Sequence, residues 1–166
     1  MPSTKYVIDS CSLIKPYKTI YRMNVVPSFW NTMREKILSG EIIICEKVYD
    51  EICLNRDTLS SWLKSIVDGT TLVAHVDPDI LNNVSIIVNN VNSHIPPYKV
   101  SAISTFNGCA DPFVVATAKA LNCSIITEEV SAPDSISSIK MPDVCVAEGV
   151  PYVNICDYLL NENIVL

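Results

Sequence analysis

Asp9, Glu51, Asp111 and Glu129 are the residues of this chain best suited to chemistry together. Asp9 ends the apolar run Tyr6-Val7-Ile8, and Glu129 follows the run Ser124-Ile125-Ile126-Thr127. Glu51 lies on a short helical stretch after Ile42-Ile43-Ile44, and Asp111 opens the helical stretch DPFVVATAKALN. In a parallel α/β sheet, strand carboxyl ends and the helix starts that follow them share one edge, where ligands bind. Carboxylates gathered there repel one another unless cations fill the space between them. The pattern implies a divalent-metal site. Hard oxygen ligands select Mg²⁺ or Mn²⁺. One or two such ions, about 4 Å apart when paired, acidify an attacking water and stabilise charge on a phosphoryl group.

Other chemistries that begin with an Asp after a first strand fail on particular residues. A phosphatase of the haloacid-dehalogenase type needs a second Asp two positions on, where Cys11 stands. A phosphorylated receiver domain needs an Asp ending its third strand, but His75-Val76-Asp77-Pro78 reads as a helix cap. A dinucleotide fold needs a glycine-rich turn, and SCSLIKP has none. Each acid also has a structural alternative. Asp111 precedes Pro112 and could be an N-cap alone. Asp50 could replace Glu51, and only one of the neighbours Glu128 and Glu129 can face a given side of a strand.

The elements that must position these acids follow from periodicity. Strand-like runs occupy about residues 5–9, 41–45, 71–76, 124–127 and 152–155. Helical patterns separate them. One is capped by Ser28 and ends at Gly40, a second covers 46–54, and a third runs from an Asp57 cap to a stop at Gly69. A fourth follows Asp77-Pro78 and carries Leu81, Val84, Ile87, Val88 and Val91 at helical spacing. Residues 92–109, with Pro96-Pro97 and Gly108, read as a loop positioned to shape access to Asp111. Residues 130–140 read as a surface loop, Pro142 starts a short helix, and 157–161 form a last one. Strands alternating with helices predict an α/β fold, a parallel sheet of about five strands with helices on both faces.

At 166 residues, 49% of them apolar, the chain suits one domain spanning 1–166. Mean hydropathy of +0.29 is high, yet no apolar run reaches the ~18 residues of a membrane span. Strands buried on both faces account for it. MPSTKYVIDS has no apolar signal core, so the expected location is cytoplasmic. The seven cysteines form no C-x-x-C pair and read as reduced core thiols. A net charge of −6 argues against a generic nucleic-acid-binding surface. Lys15, Lys18 and Arg22 form a local basic cluster after Asp9, either a solvated face or a phosphate contact.

YVIDSCSLI, VYDEI, ADPFVVATAKALNCSIITEE and PDVCVAEGVPYVNICDYL together resemble a PIN domain across residues 5–160. They most resemble a PIN-like branch with D-P-[FW] and T-E-E motifs. The resemblance implies a metal-dependent ribonuclease acting by in-line attack of water on RNA. Asp9, Glu51, Asp111 and Glu129 then take the four acidic positions as catalytic residues and metal ligands. Ser10 and Thr127 match hydroxyl positions that orient carboxylates, water or phosphate, and Lys15 joins them as a substrate contact. Cys11 departs from the usual Asn or Ser and, as a weak hydrogen bonder, would soften any contact made there. Asp143 is a further acid of open role. Many small family members are toxins held by an antitoxin protein, and many form homodimers, for which the helix bearing Ile86, Ile87 and Val91 offers a surface, although core packing is the use expected first of these residues. The alternative is a PIN-like binding or regulatory module with little or no catalysis. A DNA nuclease of related architecture would carry more acidic ligands.

Overall fold

A computed structural model of the chain describes residues 5–67, 72–73 and 77–166. The first half runs β1 (Tyr6–Ile8), α1 (Cys11–Lys18), α2 (Pro27–Leu38), β2 (Ile42–Cys45), α3 (Glu46–Leu54), α4 (Thr58–Ile66) and β3 (Leu72–Val73). The second half runs α5 (Pro78–Asn92), α6 (Val100–Gly108), α7 (Asp111–Leu121), β4 (Ser124–Ile126), α8 (Met141–Glu148), β5 (Tyr152–Val153) and α9 (Ile155–Asn161). Every strand pairing is parallel. One continuous ladder holds four strands in the order β2-β1-β4-β5, one fewer than the five expected. The two-residue β3 adds a short pairing with β2 and extends the order to β3-β2-β1-β4-β5.

The strands are apolar because both faces of the sheet are covered. Successive strand residues point to opposite faces, and Tyr6, Val7 and Ile8 are all buried, as are Ile42 through Cys45. This is where the excess hydropathy goes. The α7 helix packs on β1, β2 and β4, and α5 lies along α7. At the start of β1, Tyr6 meets Tyr158 of α9 edge-on at 4.9 Å. Their hydroxyls donate to Glu162 and Glu41, each at 2.8 Å, fastening the last helix to the sheet. Among the described residues, no helix is long and apolar enough to cross a membrane.

Several local expectations need correction. Residues 11–18, to which the sequence pattern assigns no element, form α1 despite Pro16, because Ser12, Leu13 and Pro16 bury one side of it. Residues 100–108 form α6 rather than a loop. The irregular stretch covers only residues 93–99, and Ala102 and Phe106 anchor the helix one turn apart. The cap of α2 is Val26 before Pro27, not Ser28, and the helix ends at Leu38 with Gly40 beyond it at φ +74°. The last helix begins at Ile155, capped by Asn154, whose side chain accepts from Asp157 N–H. Asp57 and Asp77 cap α4 and α5 as expected. Gly69, His75 and the flanks of the 71–76 strand lie outside the described residues. Ile87 and Val91 are buried in the core, while Ile86 is 39% exposed.

Candidate functional site

Strand order reverses direction at β1, with β2 on one side and β4 on the other, so a crevice opens at the carboxyl ends of β1 and β4. Asp9 and Thr127 stand there. The Asp9 N–H still donates to the Ile126 carbonyl at 3.0 Å, which fixes its backbone in line with the ladder. Its side chain is nearly sealed, the residue being only 2% exposed. One carboxylate oxygen, Oδ2, accepts from Thr127 Oγ1 at 3.0 Å and from Cys11 Sγ at 2.7 Å. Ser10 Oγ lies 3.5 Å from the other, Oδ1, and donates to Glu51 Oε2 at 2.9 Å. Ser10 therefore joins the first acid to the second.

Cys11 does more than was expected of it. Besides its Asp9 contact, its sulfur accepts from Glu128 N–H at 3.3 Å and lies 3.6 Å from Thr127 Oγ1. The thiol stitches the ends of β1 and β4 together. Burial, then the Asp9 charge, pushes it up to about 12, so it stays protonated and able to donate.

Glu51, half-buried on α3, reaches across to α7, where its Oε1 accepts the Ala110 N–H at 2.7 Å. Asp50 beside it is exposed. Ala110 is the N-cap of α7, and Asp111 is the first residue of the helix. No side chain caps α7, which removes the reading of Asp111 as a cap alone. The Asp111 carboxyl is instead pushed up to about 7, mainly by burial, then by the charges of Asp9 and Glu129 and, less, of Glu51. Burial also raises Asp9, opposed by bonds from Cys11 and Thr127 and reinforced by the Glu129 charge. Asp111 thus feels the other three acids across the crevice, and Asp9 feels Glu129.

Glu128 and Glu129 part ways. Glu128 turns to the start of α9, accepting Ile155 N–H at 2.7 Å, and pairs with Lys15 at 3.7 Å. Glu129 turns inward, and its Oε2 accepts Met141 N–H at the start of α8 at 2.7 Å. Lys140 Nζ stands 3.9 Å from Glu129 Oε1. Lys15, 57% exposed in its side chain, is thus engaged with Glu128. Lys18 and Arg22 line a separate basin with Tyr17 and Met23. Asp143 is not a cap either. It accepts from Ser131 Oγ and from Ala132 N–H, holding down the loop after Glu129.

The sequence did not single out Cys109 and Cys145. Both thiols are pushed up to about 12 by burial and then by acid charge, of Asp111 for Cys109 and of Asp9 and Asp111 for Cys145. The position of Cys109, two residues before Asp111, was the available signal. All seven cysteines are free thiols. Among the described residues, no three His, Cys, Asp or Glu side chains already stand in ligating arrangement.

No curated protein matches the chain. A model of a Domain of unknown function (DUF4411) matches residues 6–166. The chain, matched over nearly its whole length, belongs to the DUF4411 family.

Proposed function

We propose that this protein is a PIN-like, Mg²⁺- or Mn²⁺-dependent ribonuclease that hydrolyses RNA phosphodiester bonds at the acid cluster. One observation carries the reading. Four carboxylates from four separate segments stand at a crevice at the sheet's switch point, where burial and neighbouring acid charge raise the proton affinity of Asp9 and Asp111. Such a cluster is costly with protons as its only counter-ions, and a hard divalent cation relieves it. The donor set fits, since all four donors are carboxylate oxygens and Asp9 is sealed from bulk water.

Asp9 and Asp111 would hold the ion directly, with Glu51 and Glu129 completing the set. When bound, the ion supplies a more acidic water and charge stabilisation on the phosphoryl oxygens. The chain's own groups do the positioning. Thr127 and Cys11 lock one oxygen of Asp9, leaving Oδ1 toward Ser10. Ser10 and the Ala110 N–H fix both oxygens of Glu51, and Met141 N–H fixes one of Glu129. Preset carboxylates of this kind reduce the reorganisation needed when charge develops in the reaction.

A second reading, a binding module without catalysis, also has an observation in its favour. Glu51 and Glu129 each spend an oxygen on a backbone N–H at a helix start, a structural use of both. Calorimetric titration with Mn²⁺ separates the two. The nuclease reading expects saturable binding that is lost in Asp9→Asn, whereas the module reading expects no heat from either protein.

A further inference from the structure

The corner where α6 meets α7 is hollowed on two sides, and three of the four acids line the hollows. One cleft, of about 230 Å³, runs between α6 and residues 137–140. Asp111 and Glu129 line it, with Ser101, Thr105, Ser138 and Lys140 around them. A second cleft, also about 230 Å³, lies between α3 and the same corner and is lined by Glu51, Lys47, Asn107 and Phe113. Cys109 belongs to both. The two clefts thus meet at Cys109, two residues before Asp111.

Each cleft holds one lysine. Lys140 lies 3.9 Å from Glu129, with its side chain 36% exposed. Lys47 stands over the Phe113 ring, 5.4 Å from its centroid, a contact that steadies the ammonium group. Hydroxyls, an amide and the exposed Asp50 carboxylate supply the remaining polar lining, which suits a sugar–phosphate chain carried with cations better than an apolar ligand. On a chain of net charge −6, cations at these two places are local and specific. Of the basic cluster evident in the sequence, Lys15 is paired with Glu128, and Lys18 and Arg22 lie elsewhere. Lys18 is at the far end of α1, whose eight residues span about 12 Å from the Asp9 end, and its basin includes none of the four acids.

We infer that a single RNA strand crosses the acid cluster through these two clefts, with Lys47 and Lys140 as phosphate-binding residues on opposite sides of the bond to be cut. The inference rests on the nuclease reading and adds the substrate path to it. Each cleft is too small for paired bases, so the strand is unpaired where it crosses. Neither lysine is buried, and replacing either leaves the core intact.

The test is binding of a short fluorescein-labelled single-stranded RNA, in Mn²⁺, to an Asp111→Asn host that does not cut it. Affinity is followed from ~50 to ~200 mM salt. Adding Lys47→Ala or Lys140→Ala should weaken binding and flatten the log–log salt slope by about 0.7 each, the share of one phosphate contact on a single strand. Lys18→Ala and Arg22→Ala should leave the slope unchanged. Binding whose slope ignores Lys47 and Lys140 overturns the path and leaves the nuclease reading standing. A host that binds no RNA, together with a parent protein that cuts none, overturns both.

Discussion

The Glu51 carboxylate accepts the Ala110 N–H at 2.7 Å and so ties α3 to the start of α7, one residue before Asp111. The bond makes Glu51 part of the frame as well as the acid cluster, and two substitutions separate these roles. Glu51→Gln keeps a carbonyl oxygen for Ala110 but loses the charge, so it should fold with near-parental stability and bind Mn²⁺ poorly. Glu51→Ala should also lose about 1–3 kcal/mol in urea unfolding, because a buried N–H is left without its charged partner. Equal stability of the two variants would contradict the bridge.

Thr127 holds the first acid in place. Its hydroxyl donates to Asp9 at 3.0 Å and accepts the Glu129 N–H at 3.2 Å. Thr127→Val should lower Mn²⁺ affinity by roughly 10–100-fold, as loss of a partner behind a metal ligand does. Thr127→Ser should restore most of it. Calorimetry on both variants decides, and a Val variant with parental affinity would show that Asp9 needs no such support.

Asp111 makes the metal-free protein sensitive to pH. Its carboxyl is raised from 3.8 to about 7, so the folded state holds this proton more tightly than the unfolded chain does. That contribution favours folding at low pH and is lost as pH rises from the ordinary carboxylate range through about 7. In EDTA, Asp111→Asn should therefore be more stable than the parent at pH 8, by on the order of 1–3 kcal/mol. The gap should narrow toward pH 5. Urea midpoints at the two pH values measure it, and a gap that widens on acidification would refute the assigned direction.

The strands and most capped helices were legible because local chemistry decides them. Ile42–Cys45 is apolar throughout since both its faces are covered, and Asp57 and Asp77 cap helices with their own side chains. α1 and α6 were not legible. Pro16 sits inside the first, and the second follows Pro96-Pro97 with only Ala102 and Phe106 buried, so tertiary contacts override weak local preference. The acids could be read from strand ends and motif order. Which of Glu128 and Glu129 turns inward came from the motif match and not from the local pattern, because the choice depends on the N–H groups of Ile155 and Met141, far along the chain. The lysines flanking the acids were hidden, since α6 had to exist before its two clefts could.

Asp143 anchors the loop that carries the chain from Glu129 to Lys140. Asp143→Ala frees Ser131 and the Ala132 N–H, at a cost of about 1–3 kcal/mol. The loop should then be nicked faster by a nonspecific protease, within residues 130–140, while the rest of the chain stays protected. Mass spectrometry of the fragments locates the cut. A parental digestion pattern would mean the loop is held by other contacts.

The central claim is that the acid cluster cuts RNA with a divalent cation. The most direct test is incubation of a mixed RNA pool with the parent protein in Mn²⁺, with the parent in EDTA, and with Asp111→Asn in Mn²⁺. Cleavage by the parent in Mn²⁺ alone is the predicted result. Cutting that persists in EDTA or in Asp111→Asn, or a parent that neither cuts RNA nor binds Mn²⁺, would contradict it.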